Sequence, residues 1–240
     1  MDIKLSVIIP VYNEAPTVME VLRAVQALPV NKEIIIVDGN STDGTRELLE
    51  AFGSETPEAR IIFQTKRNGR GGALQEGLEQ ATGDVVVFQD ADLELDPNAL
   101  PKLMQPIENG KCNVVFGSRF LDAKPQMTIL QYIGNRVLNI VTNILWGTKL
   151  TDVETCYQMF RRDIISGMSF QRKDMAFTME LTLALIAAGH NIVEIPVEYH
   201  PRTGAEGKKL YWGDGFVTLW VIIQTWLKTI CCCRRCRSAS

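Results

Sequence analysis

The sequence predicts an α/β fold in which a mostly parallel central sheet carries helices on both faces. Short apolar runs rich in β-branched residues recur along the first half of the chain. Each is followed by turn and cap residues and then by a stretch of helical period, the alternation that builds parallel sheets. At 240 residues, with 46% hydrophobic and 22% charged composition, the chain suits one large domain with a substantial core.

Leu5 to Pro10 is the first strand, stopped by a proline that lacks a ladder donor, and Val11 to Pro16 loops into a helix ending near Leu28. Glu33 to Asp38 repeats the design, with an acid at the strand tip. Gly39 to Thr45 is dense in turn residues and opens a helix to about Phe52; Arg60 to Gln64 is a third strand. The segment Gly69-Arg70-Gly71-Gly72 starts a helix through about Ala81 but matches neither the dinucleotide fingerprint nor a P-loop. It suits an anion or a plain helix entry equally.

Val85 to Phe88 holds four apolar residues, three of them β-branched, and reads as a strand buried on both faces. The chain then turns abruptly acidic at Asp90, Asp92 and Glu94. Ligands bind beyond the carboxyl ends of such strands, and alternate residues of an extended segment share a face. The three carboxylates can therefore converge on a divalent cation, although Asp-rich turns are also often merely solvated.

Pro97 to about Asn109 is a helix, and Asn113 to Gly117 a fifth strand leading to Ser118 and Arg119. Met127 to Trp146 is a long helix of mixed polarity containing Asn135 and Arg136. Thr151 to Arg162 reads as a loop and then a strand, Phe177 to Ala188 as a helix, and Ile192 to Tyr199 as the last strand. Phe216 to Ile230, as a helix about 22 Å long, falls short of a hydrocarbon core of about 30 Å. With Trp212, Trp220 and Trp226 beside Lys228, Arg234, Arg235 and Arg237, it suits an interfacial amphipathic helix; a helix closing the core is the alternative. The expected division is a domain over 1–212 and a helix with a basic, Cys-rich tail over 213–240.

Residues 201–240 carry seven Lys/Arg against two Asp/Glu, and the rest of the chain 18 against 26. This asymmetry argues against a nucleic-acid surface and for a local basic contact with phosphate or an anionic membrane. No secretory pattern opens the sequence, so a cytoplasmic location is expected. Four of the six cysteines crowd into the last ten residues, which is no disulfide framework; they are candidates for acylation.

Four motifs occur in one order: Pro10-Val11-Tyr12-Asn13-Glu14, Asp38-Gly39-Asn40-Ser41-Thr42-Asp43-Gly44-Thr45, Gly83-Asp84 with Asp90-Ala91-Asp92, and Gly117-Ser118-Arg119. Over about residues 4–212 they resemble the family 2 glycosyltransferases of GT-A fold, in the branch of dolichol-phosphate mannose synthases and polyprenyl-phosphate glucosyltransferases. The resemblance implies that Pro10, Tyr12, Glu14 and Asp38 line a nucleotide pocket, Asp38 accepting from the base. It implies that Asp90 approaches the sugar or nucleotide, and that Asp92 and Glu94 hold Mg²⁺ or Mn²⁺ on the diphosphate; Gln is frequent in the family where this chain has Glu94.

Arg202, Lys208 and Lys209 are candidates to meet the charge that grows on the leaving diphosphate, on a segment suited to a mobile lid. Arg119, Asn135 and Arg136 are candidates to receive an acceptor phosphate. A phosphate monoester is already anionic at neutral pH and needs no base, whereas a hydroxyl acceptor would call on Glu180 or Asp152. The expected activity is metal-dependent, inverting transfer of a hexose from GDP-mannose or UDP-glucose to polyprenyl or dolichyl phosphate, by an enzyme peripheral at the cytosolic face of a membrane. A separate membrane-protein partner is left open. Transfer to a sugar or protein hydroxyl, and a catalytically silent membrane-bound interaction protein, are the rival readings.

Overall fold

The computed structural model describes residues 3–122, 125–202 and 212–237. Seven strands, β1 (Leu5–Val11), β2 (Lys32–Asp38), β3 (Ala59–Phe63), β4 (Val85–Phe88), β5 (Val114–Ser118), β6 (Gln158–Arg161) and β7 (Ile192–Pro196), form one sheet in the order β3-β2-β1-β4-β6-β5-β7. The first four are mutually parallel, β5 is parallel to β7, and β6 runs antiparallel to both its neighbours. The expected mostly parallel sheet is present. β2 lies on one side of β1 and β4 on the other, so the tips of β1 and β4 flank a topological switch point, where a crevice opens.

The helices are α1 (Val18–Ala27), α2 (Thr45–Glu55), α3 (Gly69–Gln80), α4 (Leu100–Glu108), α5 (Ile129–Trp146), α6 (Phe177–Ala187) and α7 (Trp212–Arg237). The pleat assigns them to faces. Leu5, Val7 and Ile9 of β1 join a core with Val21 of α1, Phe52 of α2 and Leu103 of α4, while Ile8 joins a second core with Leu74 of α3 and Phe177 of α6. A third cluster joins α5, α6 and α7 through Leu138, Leu183, Val221 and Ile222.

Several boundaries differ from the sequence reading for local reasons. α5 starts at Ile129 because Thr128 and Gln131 form a reciprocal capping box. β7 ends at Pro196, short of Tyr199, with one further bond from Val197 N to Ser118 O at 3.0 Å. α7 is 26 residues long, well beyond 216–230 at both ends. The glycines of α3 serve close packing: a Cβ on Gly69 or Gly71 would strike the backbone at Lys173, and Gly72 N donates to Lys173 O at 3.1 Å. That contact takes up a helix N-terminal donor otherwise suited to an anion.

At the opposite end of the sheet from the crevice, Glu33 ties three chain segments together. Its carboxylate accepts from Lys4 Nζ (2.8 Å), Ser6 Oγ (2.6 Å), Thr82 N (2.7 Å) and Gly83 N (3.0 Å). Burial alone would raise its pKa, but hydrogen bonds from Lys4, Ser6 and Thr82 outweigh that and pull it down to about 2. The folded value lies below the unfolded one, so the stabilisation is complete above about pH 4.5 and fades as pH falls toward 2. Glu33→Gln should cost about 2 kcal/mol in urea unfolding at pH 7 and much less at pH 3. An unchanged acid dependence would contradict this.

Candidate active site

The tips of β1 and β2 are lashed together by their own loops. Asn13 N donates to Ser41 Oγ (2.9 Å), Glu14 N to Thr45 Oγ1 (3.0 Å), and Thr42 N to Asn13 Oδ1 (2.8 Å). Asn13 and Asn40 both take left-handed backbone, φ 52 and 66, which asparagine tolerates better than most residues. Pro10, Tyr12, Glu14 and Asp38 are thereby gathered at one edge of the crevice, as the sequence led one to expect. Asp38 is fully buried, and Arg67, absent from the sequence reading, stacks 4.0 Å above the Tyr12 ring.

The acidic tip departs from expectation. Beyond β4 the chain turns instead of continuing extended, with Leu93 at φ 62, so Asp90, Asp92 and Glu94 do not share a face. Each carboxylate has its own surroundings. Asp90 is held in a bidentate pair by Arg70, with Nε at 2.8 Å and Nη2 at 3.0 Å, both side chains largely buried. Glu94 accepts from Tyr199 Oη (3.0 Å) and Arg202 N (3.0 Å), which fastens the 199–202 segment over the tip. Asp92 accepts from Glu94 N at 3.1 Å and stays 27% exposed, with Arg202 Nη2 3.8 Å away.

Arg202, the candidate cation for the diphosphate, lies between the tips of β1 and β4. Its Nη2 donates to Glu14 Oε2 (2.6 Å) and its Nε to Asp92 O (2.9 Å), bridging the tips of β1 and β4. The guanidinium thus stands between the carboxylates of Glu14 and Asp92, 2.6 and 3.8 Å away, and relieves their mutual repulsion. Lys208 and Lys209 lie outside the described residues, as do the side chains of Trp212, Arg234, Arg235 and Arg237 and of Cys232, Cys233 and Cys236.

No group of three or more His, Cys, Asp and Glu gathers as a metal site among the described residues. The donor set still fits a hard cation that arrives with a diphosphate. Mg²⁺ and its like are held by one or two carboxylates with substrate phosphates completing the shell. Asp92 accepts only from Glu94 N among the described residues and would be the carboxylate most open to such an ion, whereas Asp90 and Glu94 each already accept from two donors.

At the end of β5, Arg119 is buried against Asp152, which is 0% exposed. Asp152 accepts from Arg119 N (3.0 Å), Nε (2.7 Å) and Nη2 (2.8 Å), and Nη2 also reaches Asn135 Oδ1 at 3.2 Å. The guanidinium lies 5.1 Å from the Tyr199 ring centre. Glu194 supports Asp152 from β7 by accepting Asp152 N at 3.0 Å. Arg119 and Asn135 are thus brought together as expected. Arg136 is not with them: it stands on the exposed face of α5. His190 and His200 both lie outside this constellation, and His200 is well exposed. Cys156 lies among Asp90, Arg70 and Arg119, and burial pushes its thiol well up, leaving it protonated at neutral pH.

α5 is two-sided in an unexpected sense. Its polar residues face inward: Asn139 bonds Thr151 O and Val153 N, and Asn143 bonds Leu150 O and N. Leu138 joins them in the core, but five further apolar residues face out, with Ile129, Ile133, Val137, Ile140 and Ile144 between 44% and 80% exposed over about 22 Å. On α7, Thr218, Val221 and Ile222 are buried, while Phe216, Trp220 and Leu227 are exposed. No helix among the described residues is long and apolar enough to cross a membrane.

The sequence model of the family described as Glycosyl transferase family 2 matches residues 6–168. The dolichol-phosphate mannosyltransferase of Pyrococcus furiosus is 32% identical over 217 residues, covering 85% of this chain and 59% of that protein. The undecaprenyl-phosphate 4-deoxy-4-formamido-L-arabinose transferase of Pseudomonas fluorescens is 30% identical over 210 residues, again covering 85% and 59%. The chain therefore spans less than two thirds of either relative. Among solved structures, the glucosyl-3-phosphoglycerate synthase of Mycobacterium tuberculosis, in complex with Mn²⁺, uridine diphosphate and phosphoglyceric acid, superposes with a TM-score of 0.73 at 19% identity. The match covers 93% of this chain and 78% of that one, and shows the shared GT-A fold.

Proposed function

The chain belongs to the glycosyl transferase family 2, and from that premise we propose that it moves a hexose from a nucleotide diphosphate sugar to a polyprenyl phosphate at a membrane surface. The observation that carries the acceptor is the arrangement of α5. One face of this helix presents Asn135 to Arg119 in the crevice, and the other exposes an unbroken apolar stripe. A soluble acceptor gives no reason for such a stripe, whereas an acceptor embedded in a bilayer requires the crevice to sit at a lipid surface. Arg136, at the border of the stripe, suits the headgroup level. The names of the two relatives, both lipid-phosphate transferases, support the same acceptor class.

The chemistry suits the residues present. A divalent metal at Asp92 would neutralise charge on the diphosphate as the anomeric bond breaks, in a single inverting displacement. Arg70 fixes the Asp90 carboxylate beside that bond, and Arg119 offers Nη1, which has no hydrogen-bond partner among the described residues, to an incoming phosphate. The two carboxylates expected as bases for a hydroxyl acceptor are both occupied. Asp152 is taken by Arg119, and Glu180 accepts from Gln171 N and Arg172 N. A phosphate acceptor needs neither.

The purified 240-residue chain with radiolabelled GDP-mannose or UDP-glucose and polyprenyl phosphate in vesicles tests the reading. No transfer to lipid with any donor overturns it. The membrane contact has its own test in Ile133→Glu with Ile140→Glu, both on the exposed stripe. Each exchange removes roughly 1 to 2 kcal/mol of apolar transfer, so binding to anionic liposomes should fall by about 100-fold while the melting temperature holds. Transfer to a short, soluble lipid phosphate should suffer far less. Undiminished liposome binding would place the contact elsewhere.

A further inference from the structure

Gln89 joins β4 to the acidic turn, and its side chain is fully buried. Its Nε2 donates to Asp90 O at 3.0 Å and to Leu95 O at 3.3 Å, and its Oε1 accepts from Tyr157 Oη at 2.6 Å. The two carbonyls can only accept, so the amide nitrogen must face them and the amide oxygen must face the phenol. One side chain thereby joins the two ends of the turn that carries Asp92. Within that turn Leu93 takes left-handed backbone, φ 62, which leucine seldom adopts, so its surroundings must hold the closed form.

Tyr157 is itself fixed. It is fully buried, its N donates to Thr155 Oγ1 at 3.1 Å, and its O accepts from Gly117 N at 2.9 Å. A Cβ on Gly117 would stand 2.9 Å from the Tyr157 Cβ, so only glycine lets β5 come this close. The β4–β6 register, with Val87 opposite Met159, continued past the ladder sets Gln89 opposite Tyr157. The phenol therefore ties the turn beyond β4 to the tip of β5.

We propose that Gln89 and Tyr157 are positioning residues for the divalent metal, the amide bridging the turn from within and the phenol locking the amide, so that Asp92 is held ready for the ion. An apolar pair of similar size would fill the same space, so burial alone gives no reason for these polar groups. Three hydrogen bonds that set the backbone on either side of Asp92 do give one. A carboxylate already in place needs no ordering when the ion arrives. The inference rests on reading the crevice as a metal-dependent nucleotide-sugar site and names what aligns its carboxylate.

Calorimetric titration of the 240-residue chain with UDP and with GDP, each with and without MnCl₂, tests it beside Gln89→Met and Tyr157→Phe. These exchanges nearly keep the volume and remove the amide or the hydroxyl. Either should raise the Mn²⁺ concentration for half-maximal nucleotide binding by about tenfold and leave metal-free nucleotide affinity as it is. Without metal, hydrogen exchange should quicken in the peptide over 90–96. Because Tyr157 acts through Gln89, the double variant should be no worse than Gln89→Met, whereas independent effects would multiply. Circular dichroism confirms the fold, and Tyr157→Phe decides alone should Gln89→Met fail to fold. An unchanged Mn²⁺ requirement in Tyr157→Phe, equal loss with and without metal, or multiplied effects overturns this inference only. A wild-type chain that binds neither nucleotide, or binds one equally without Mn²⁺, overturns it together with the metal-dependent reading beneath it.

Discussion

Asp92→Asn should abolish transfer, with kcat/KM falling by at least 100- to 1000-fold, and should remove the metal dependence of donor binding. The Asp92 carboxylate is 27% exposed and accepts, among the described residues, from Glu94 N alone, with Arg202 Nη2 at 3.8 Å. Replacing one oxygen by an amide removes the anionic ligand while keeping the shape, so the fold should be unaffected. Two controls separate this from a general disturbance of the tip. Chelation of the wild type with EDTA should reproduce the loss, and the variant should bind nucleoside diphosphate equally with and without Mg²⁺. Full activity in EDTA would refute the metal role. Glu94→Gln should be far milder, since the Glu94 carboxylate already accepts from Tyr199 Oη and Arg202 N and an amide keeps one of those acceptors.

Asp152→Ala should be the most destabilising single change near the crevice, about 3 to 5 kcal/mol by urea unfolding, because it leaves the Arg119 guanidinium buried without its counter-ion. Asp152→Asn should be less costly, as it keeps part of the hydrogen bonding. Arg119→Ala separates stability from function. It too leaves a buried charge unpaired, yet its kinetic effect should fall on the acceptor, raising KM for lipid phosphate or lowering kcat with donor affinity nearly unchanged. One charge-assisted pair contributes about 1.5 to 3 kcal/mol, equivalent to roughly 10- to 150-fold in kcat/KM. Loss of donor binding with unaltered acceptor kinetics would move Arg119 to the other side of the reaction.

The sequence by itself determined the strands, their order of appearance and the acids at their tips. These rest on local physics: β-branched runs make buried strands, and Asp, Asn and Gly fill the turns that end them. It also placed Tyr12, Glu14, Asp38, Asp90 and Asp92 at the crevice, because strand tips in a parallel sheet lie together. It did not reveal the partners of the charges. Arg70 and Asp90 are 20 residues apart, Arg119 and Asp152 are 33 apart, and Arg202 and Glu14 are 188 apart. Which carboxylate a guanidinium takes is decided by what the fold brings within 3 Å, and no periodicity encodes that. The inversion of α5 was hidden for a related reason. Apolar residues lie on both sides of it, Leu138 within and the isoleucines without, so spacing alone does not say which face is inside. Only the tertiary structure, by supplying the 148–153 backbone as partner for Asn139 and Asn143, turned the polar face inward and left the isoleucines outside.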